Sequence, residues 1–226
     1  MMSQSRPEPP KIGATQAPDL SLADLEEVEV GGIESEFELE TVRLGPAALN
    51  GLDASSGRFE QARLEDVNLD DSKLRGLQLV DVEAERVSAA NGNWGGALLR
   101  RVVFKQARLT GLELGEAKIE EAHFKGCKLD YANFRHSTIE FATFEDCVLD
   151  NADFQAARIY AARFVGCQLT ATDFTKAELE HVDLRGSELA LAGSLLALRG
   201  ATVDSLQLLD LARPIAHELG ITVEEA

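Results

Sequence analysis

The sequence predicts an all-β solenoid, a chain wound into stacked coils, and two observations carry that prediction. Every fifth residue from Leu39 to Leu189 is apolar, 31 consecutive positions without one polar side chain. A second period of 20 is superposed on the first, so that side chains of one shape return at every fourth repeat. A period of five fits neither the 3.6 residues of an α-helix nor the 2.0 of a strand. Such a register held for most of the chain is the mark of a repeat architecture, which overrides any local propensity.

The chain reads in four parts. Residues 1–18 are predicted to be a disordered leader, with Pro7, Pro9, Pro10 and Pro18 against regular structure and no apolar run that would make a secretory signal. From residue 19 a five-residue step is already visible in the pairs Ala23/Leu25 and Val28/Val30, in a shifted register that Gly31-Gly32 breaks. The main register then runs from residue 37 to 192, inside a solenoid domain of residues 19–203. It slips between Leu191 and Leu195 and resumes briefly at Leu196/Leu198 and Ala201/Val203. In residues 204–226, Asp204 is an N-cap for a short helix carrying Leu206, Leu209, Ile215 and Leu219 and ended by Gly220. Pro214 should kink that helix or split it in two.

Within the main register a smaller residue stands two places before each large one, as in Ala107, Ala117, Ala122, Cys127, Ala132 and Ser137. The motif is A-(D/N)-(L/F)-x-x, seen in Ala132-Asn133-Phe134, Ala152-Asp153-Phe154 and Thr172-Asp173-Phe174. On these residues the sequence closely resembles the pentapeptide-repeat family. The resemblance implies a right-handed quadrilateral parallel β-helix, four pentapeptides to a square coil, with a short C-terminal α-helical cap.

The period of 20 is the sequence's own test of four sides, and four columns meet it. They are Phe104/Phe124/Phe144/Phe164, Leu109/Leu129/Leu149/Leu169, Phe134/Phe154/Phe174 and Ile119/Ile139/Ile159/Leu179. Thirty-one repeats give nearly eight coils, a rod about 37 Å long at a strand spacing of ~4.8 Å. Gly111, Gly126, Gly166 and Gly186 fall just past the large residue, at corners where positive φ is expected. Trp94 is in the inward register, so NGNWGG is no nucleotide loop, and its ring fills the space left by Ala84 and Ala89.

Chemistry is hard to find. The three cysteines, Cys127, Cys147 and Cys167, share one inward column and read as small core residues rather than a metal or redox ladder. An odd number with no CxxC spacing indicates no disulfide framework, and a reducing, cytoplasmic location is the expectation. The four histidines, His123, His136, His181 and His217, form no catalytic or metal-ligand constellation. The reading is therefore a non-enzyme, without cofactor or metal, that acts as a protein-binding scaffold of unassigned partner.

Charge narrows the partner. With 39 acidic against 22 basic residues the formal charge is −17, which argues against direct contact with nucleic acid. The charge is banded: residues 19–40 hold nine acids and no base, residues 100–135 eight bases and five acids, residues 136–189 ten acids and four bases. Glu120, Glu140, Tyr160 and Glu180 fall in one outward column with Phe141 beside it, an acidic and aromatic strip that is the candidate partner-contact surface. Ordinary surface decoration is the competing reading.

The family resemblance implies a further alternative, a DNA mimic that modulates a type II topoisomerase, since some pentapeptide-repeat proteins inhibit gyrase or protect it from quinolones. The basic band in mid-rod, and the lack of a large loop inserted in the repeats, depart from that pattern. A homodimer through the C-terminal helix is also expected, with Leu206, Leu209, Ile215 and Leu219 as the contact.

Overall fold

The computed structural model describes residues 16–18, 20, 25–28, 33 and 36–224. The leader up to residue 15, most of the shifted N-terminal register (Ala23 and Val30 included), and Gly31-Gly32 lie outside the described residues. The rest is a four-sided parallel β-solenoid of about nine turns followed by one helix. Along one side, ten strands from Glu26–Glu27 to Ala201–Thr202 pair in parallel, each with the strand one coil later. In the middle of the rod the offset is 20 residues, as in His123↔Thr143 and Phe124↔Phe144.

The prediction of nearly eight coils falls short because the two end coils leave the five-residue register. Glu26 pairs with Val42, an offset of 16, and Val182 pairs with Ala201, an offset of 19. In the first of these coils Val28 lies level with Leu44, as its N–H bond to the Arg43 carbonyl requires. Val28 therefore fills the place of a large inward residue, not the smaller place two residues before it.

The four sides are not equivalent. Two are true ladders, such as Lys118–Glu120 stacked on Thr138–Glu140 and Arg158–Tyr160. The other two touch through single bridges, such as Asn133↔Asp153↔Asp173 and Arg108↔Lys128↔Val148. Between sides the chain turns through a residue with positive φ. Glycine holds that corner at Gly111, Gly126, Gly166 and Gly186, as expected, but among the described residues 23 that are not glycine also have positive φ. An L-residue there costs on the order of 1–2 kcal/mol. The corner N–H offsets the cost by bonding a carbonyl of the next coil, as in Tyr131 to Asp150 at 2.9 Å and Asn151 to Thr170 at 2.8 Å.

The core is a set of stacked columns. Phe104, Phe124, Phe144 and Phe164 lie face to face, with centroids 5.2, 4.8 and 4.7 Å apart. Phe134, Phe154 and Phe174 stack beside them at 4.6 and 4.9 Å, and the two columns meet edge to face. Trp94 is buried, as its register required, and its indole N–H reaches Ser72 Oγ at 3.1 Å, which satisfies the one polar atom of the ring. Cys127, Cys147 and Cys167 are free, buried thiols, each donating to a carbonyl three residues before its counterpart in the preceding coil. Ser187 continues the column with the same bond to Phe164 O.

The C-terminal end is closed by one helix, α1 (Ser205–Glu218), not by two. Pro214 lies inside it without breaking it, leaving only the Asp210 carbonyl without its helical donor. Asp204 caps the helix through Leu206 N and Gln207 N, and the Gln207 side chain returns a bond to Asp204 N. The surface that covers the last coil is not the predicted stripe. Gln207 and Leu211 are its buried residues, and Gln207 Nε2 donates to both Leu184 O and Ser187 O at 2.7 Å. Without that amide Ser187 O would be orphaned at the end of the solenoid and Leu184 O would keep only the Ser187 N–H at 3.3 Å. At its far end α1 is tied down by Glu218, which accepts from Leu195 N at 2.7 Å.

Candidate functional site

The columns of the solenoid place the predicted surface residue by residue. On the side made by Lys118–Glu120, Thr138–Glu140, Arg158–Tyr160 and Glu178–Glu180, the inward line is Ile119, Ile139, Ile159 and Leu179. The outward line after it is Glu120, Glu140, Tyr160 and Glu180, so the sequence assigned these four correctly to one column. Further back the same line reads Glu60, Val80 and Arg100. The next residue of each coil is the corner: Glu121, Phe141, Ala161 and His181, all with positive φ.

Phe141 is 40% exposed, and its ring meets Tyr160 edge-on at 5.5 Å. Tyr160 in turn meets the His181 imidazole at 5.7 Å. Ala161 lies buried among these rings and lets them close over it. The result is a short aromatic ridge along one edge of the rod, with carboxylates before, beside and after it. Glu120 is held by Lys118 at 2.6 Å, and Glu180 lies 3.6 Å from His181. Among the described residues Glu140 has no Lys, Arg or His within ion-pair distance.

Beside this ridge is a groove of about 860 Å³, which the sequence did not disclose. Glu140, Tyr160 and Glu180 line one wall. Leu196, Ala197, Arg199 and Gly200 form the other, with Lys176 at one end. The lip exists because the register slip after Ala192 throws residues 195–198 into a 3-10 turn, Leu195–Leu198, where a regular coil would have laid a strand. Leu196 stands 58% exposed at its crest. Gly200 is the hinge back to the solenoid: it has φ +92°, and a Cβ there would sit 2.0 Å from the Leu179 carbonyl oxygen.

The second predicted set is on α1. Leu206, Leu209 and Leu219 are 72, 70 and 58% exposed, while Ile215 is half-buried. Leu208, Ile221 and Val223 extend the same exposed apolar surface. This stripe, expected to join two copies of the chain, is not the surface that covers the last coil. It faces outward because Gln207 and Leu211 take the inward positions.

The basic band in mid-rod is largely neutralised by carboxylates. Arg101 bonds Asp81 at 2.6 Å, Arg108 Asp70 at 3.2 Å, Lys125 Glu145 at 2.9 Å and Arg135 Asp153 at 3.5 Å. Glu145 is held below the usual carboxylate range, chiefly by its bond from Lys125 and further by the bond from His123, against partial burial, which pushes it up. In the thiol column Cys147 is pushed up to about 12 by the adjoining Cys127, so it is a protonated core thiol at neutral pH. Among the described residues no group of three or more His, Cys, Asp or Glu is placed to hold a metal ion. No helix among them is long and apolar enough to cross a membrane.

Among solved structures the chain is similar to HetL, a pentapeptide repeat protein involved in heterocyst differentiation regulation from the cyanobacterium Nostoc sp. strain PCC 7120. The two are 20% identical with a TM-score of 0.44, over 76% of this chain and 91% of HetL. It is also similar to a trypsin-treated form of QnrB1, a plasmid-mediated fluoroquinolone resistance protein. That match has 19% identity and a TM-score of 0.44, over 88% of this chain and 95% of QnrB1. No curated protein matches. Residues 117–192 match the family described as a pentapeptide repeat region. Residues 117–192 are thus a pentapeptide repeat region, and the coils before them keep the same five-residue step.

Proposed function

We propose that this chain is a non-catalytic protein-binding scaffold whose contact surface is the acidic and aromatic edge with its adjoining groove. The observation that carries the reading is the ridge Phe141–Tyr160–His181 beside a concave, partly apolar space. Exposed rings next to a groove mark the kind of site where partner anchors seat. A rigid solenoid presents such a surface with little ordering cost. Three buried free thiols are in keeping with a reducing compartment, and the cytoplasm is the location proposed. The test is affinity capture from a native lysate with the full chain and with a Phe141→Ser/Tyr160→Ala variant. A partner held by the first and lost by the second supports the surface. A partner held equally by both removes it.

The same reading gives α1 a second copy of the chain as its partner, because Leu206, Leu209 and Leu219 are exposed on a helix that is otherwise fixed at both ends.

A second function is the DNA mimic acting on gyrase. The observation in its favour is that the mid-rod bases are largely ion-paired, so the rod does not present the positive belt that the residue counts suggest. Purified chain at micromolar concentration that alters neither gyrase supercoiling nor its quinolone sensitivity ends that reading.

A further inference from the structure

The geometry points to a chemistry for the partner: a peptide segment that places a single cationic side chain, arginine or lysine, over Tyr160, with an apolar neighbour against Leu196. This rests on the proposed contact surface and names what that surface recognises.

The argument starts from the column. Glu140, Tyr160 and Glu180 are successive members of one parallel ladder. Tyr160 therefore has a carboxylate one coil before it and another one coil after, each about 4.8 Å along the rod. The ring face attracts a cation, and the flanking carboxylates accept its N–H donors. Phe141 and His181 lie edge-on to the same ring and wall the place on two sides. Among the described residues Glu140 makes no ion pair within 4 Å, although Lys118 is near enough to feel its charge, and Glu121 adds a further acid at the corner. The two outward lines from Glu120 to His181 contain four acids and no Lys or Arg.

The groove limits how many cations fit. Arg199 on its far wall and Lys176 at one end are exposed, and Arg158, two residues before Tyr160, also lines it, paired with Glu178 at 3.4 Å; these repel a second positive charge. Leu196, at the crest of the far wall, offers an apolar contact. A lone cation followed by an apolar residue is matched to this order of charges. A polybasic run, or the basic groove of a DNA-binding partner, is not.

The test is selection of a random displayed peptide library against the full-length chain. Selected peptides should carry one Arg or Lys next to an apolar residue. They should bind about fivefold more weakly to Tyr160→Ala, the weight of one exposed cation–π contact, and more weakly again to Glu140→Gln/Glu180→Gln. Polylysine should not compete for them. Tyr160, Glu140 and Glu180 all point outward, and an unchanged thermal midpoint checks that each variant keeps its fold. Peptides that depend on Tyr160 but lack a cation would overturn this inference and leave the contact surface standing. Competition by polylysine as strong as by the peptides would overturn the single-cation order. Peptides indifferent to both variants, or no enrichment at all, would overturn the inference and the surface together.

Discussion

If α1 joins two copies of the chain, substituting Leu209 should separate them by an amount that the exposure sets. Leu209 is 70% exposed in one protomer, and full burial of a leucine side chain is worth about 2 kcal/mol, so about 1.5 kcal/mol is available on association. A twofold contact uses the same surface from both copies, which doubles the loss to about 3 kcal/mol. Leu209→Gln keeps the helix propensity and removes that burial, so the dimer dissociation constant should rise about a hundredfold, 1.4 kcal/mol being a factor of ten. Sedimentation velocity across a concentration series reads it directly. Tyr131→Ser, 64% exposed on the body of the rod, is the control and should change nothing. Association should also strengthen with added salt, because each copy carries a formal charge of −17 and salt screens the repulsion. A chain that stays monomeric at the highest concentration refutes the contact. So does a Leu209→Gln variant that associates as tightly as the parent.

Three further outcomes follow from the packing. Phe144→Ala should cost more than Phe104→Ala in urea unfolding, about 5 against about 3 kcal/mol in the range for buried Phe truncation. Phe144 stacks on Phe124 and Phe164 and meets Phe134 and Phe154 edge-on, whereas Phe104 has Phe124 on one side and Ala84 on the other. Equal costs would mean that the column does not add its contacts. Gln207→Ala should cost about 1–3 kcal/mol by leaving Ser187 O without a donor and Leu184 O with only the Ser187 N–H. Amide exchange should rise in the last coil first, and a uniform rise would remove the capping role. Asp183, Asp204 and Glu145 are held below the usual carboxylate range by bonds from Arg185, from the Gln207 N–H and from Lys125 respectively. Depressed carboxylates contribute fully above the unfolded value near pH ~4 and lose that contribution as pH falls through their folded values. The urea midpoint should therefore be flat from neutral pH down to about 5 and drop in stronger acid; a midpoint that rises on acidification contradicts the assignment.

What the sequence disclosed and what it hid divide along one physical line. The inward columns were legible because each position has a single requirement, an apolar side chain of a given shape, returned every 20 residues. The corners were less so. Gly111 and Gly126 show positive φ openly, but Glu121 and Phe141 take the same conformation under hydrogen bonds between coils, and nothing in those residue types announces it. The groove was hidden for a related reason: its lip follows from a one-residue slip, and the run Leu195-Leu196-Ala197-Leu198 reads as another repeat until Val182 is seen paired with Ala201. On α1, leucine at 206, 208, 209 and 211 supports more than one apolar stripe. The choice between them was made by Gln207, whose amide, not any burial of carbon, fits the exposed carbonyls of the last coil.

A solenoid separates folding from recognition more cleanly than most folds do. Each coil contacts only its neighbours, so stability is set by the inward columns and the ladder between them. An outward residue is then under little folding constraint, and an ordinary solution is a charge, as at Glu120, Glu140 and Glu180 in the ladder of Tyr160. A tyrosine in that line and a phenylalanine at the adjoining corner contribute nothing to the stacked core that Ile139 and Ile159 do not already supply. They do expose apolar area on an acidic rod, which favours self-association over solubility. Their place beside the C-terminal break in the coil register, where Leu196 overhangs a groove, joins two departures from regularity at a single site. Fold economy explains neither departure, whereas the proposed contact surface would account for both, and that is why the experiments begin at Tyr160.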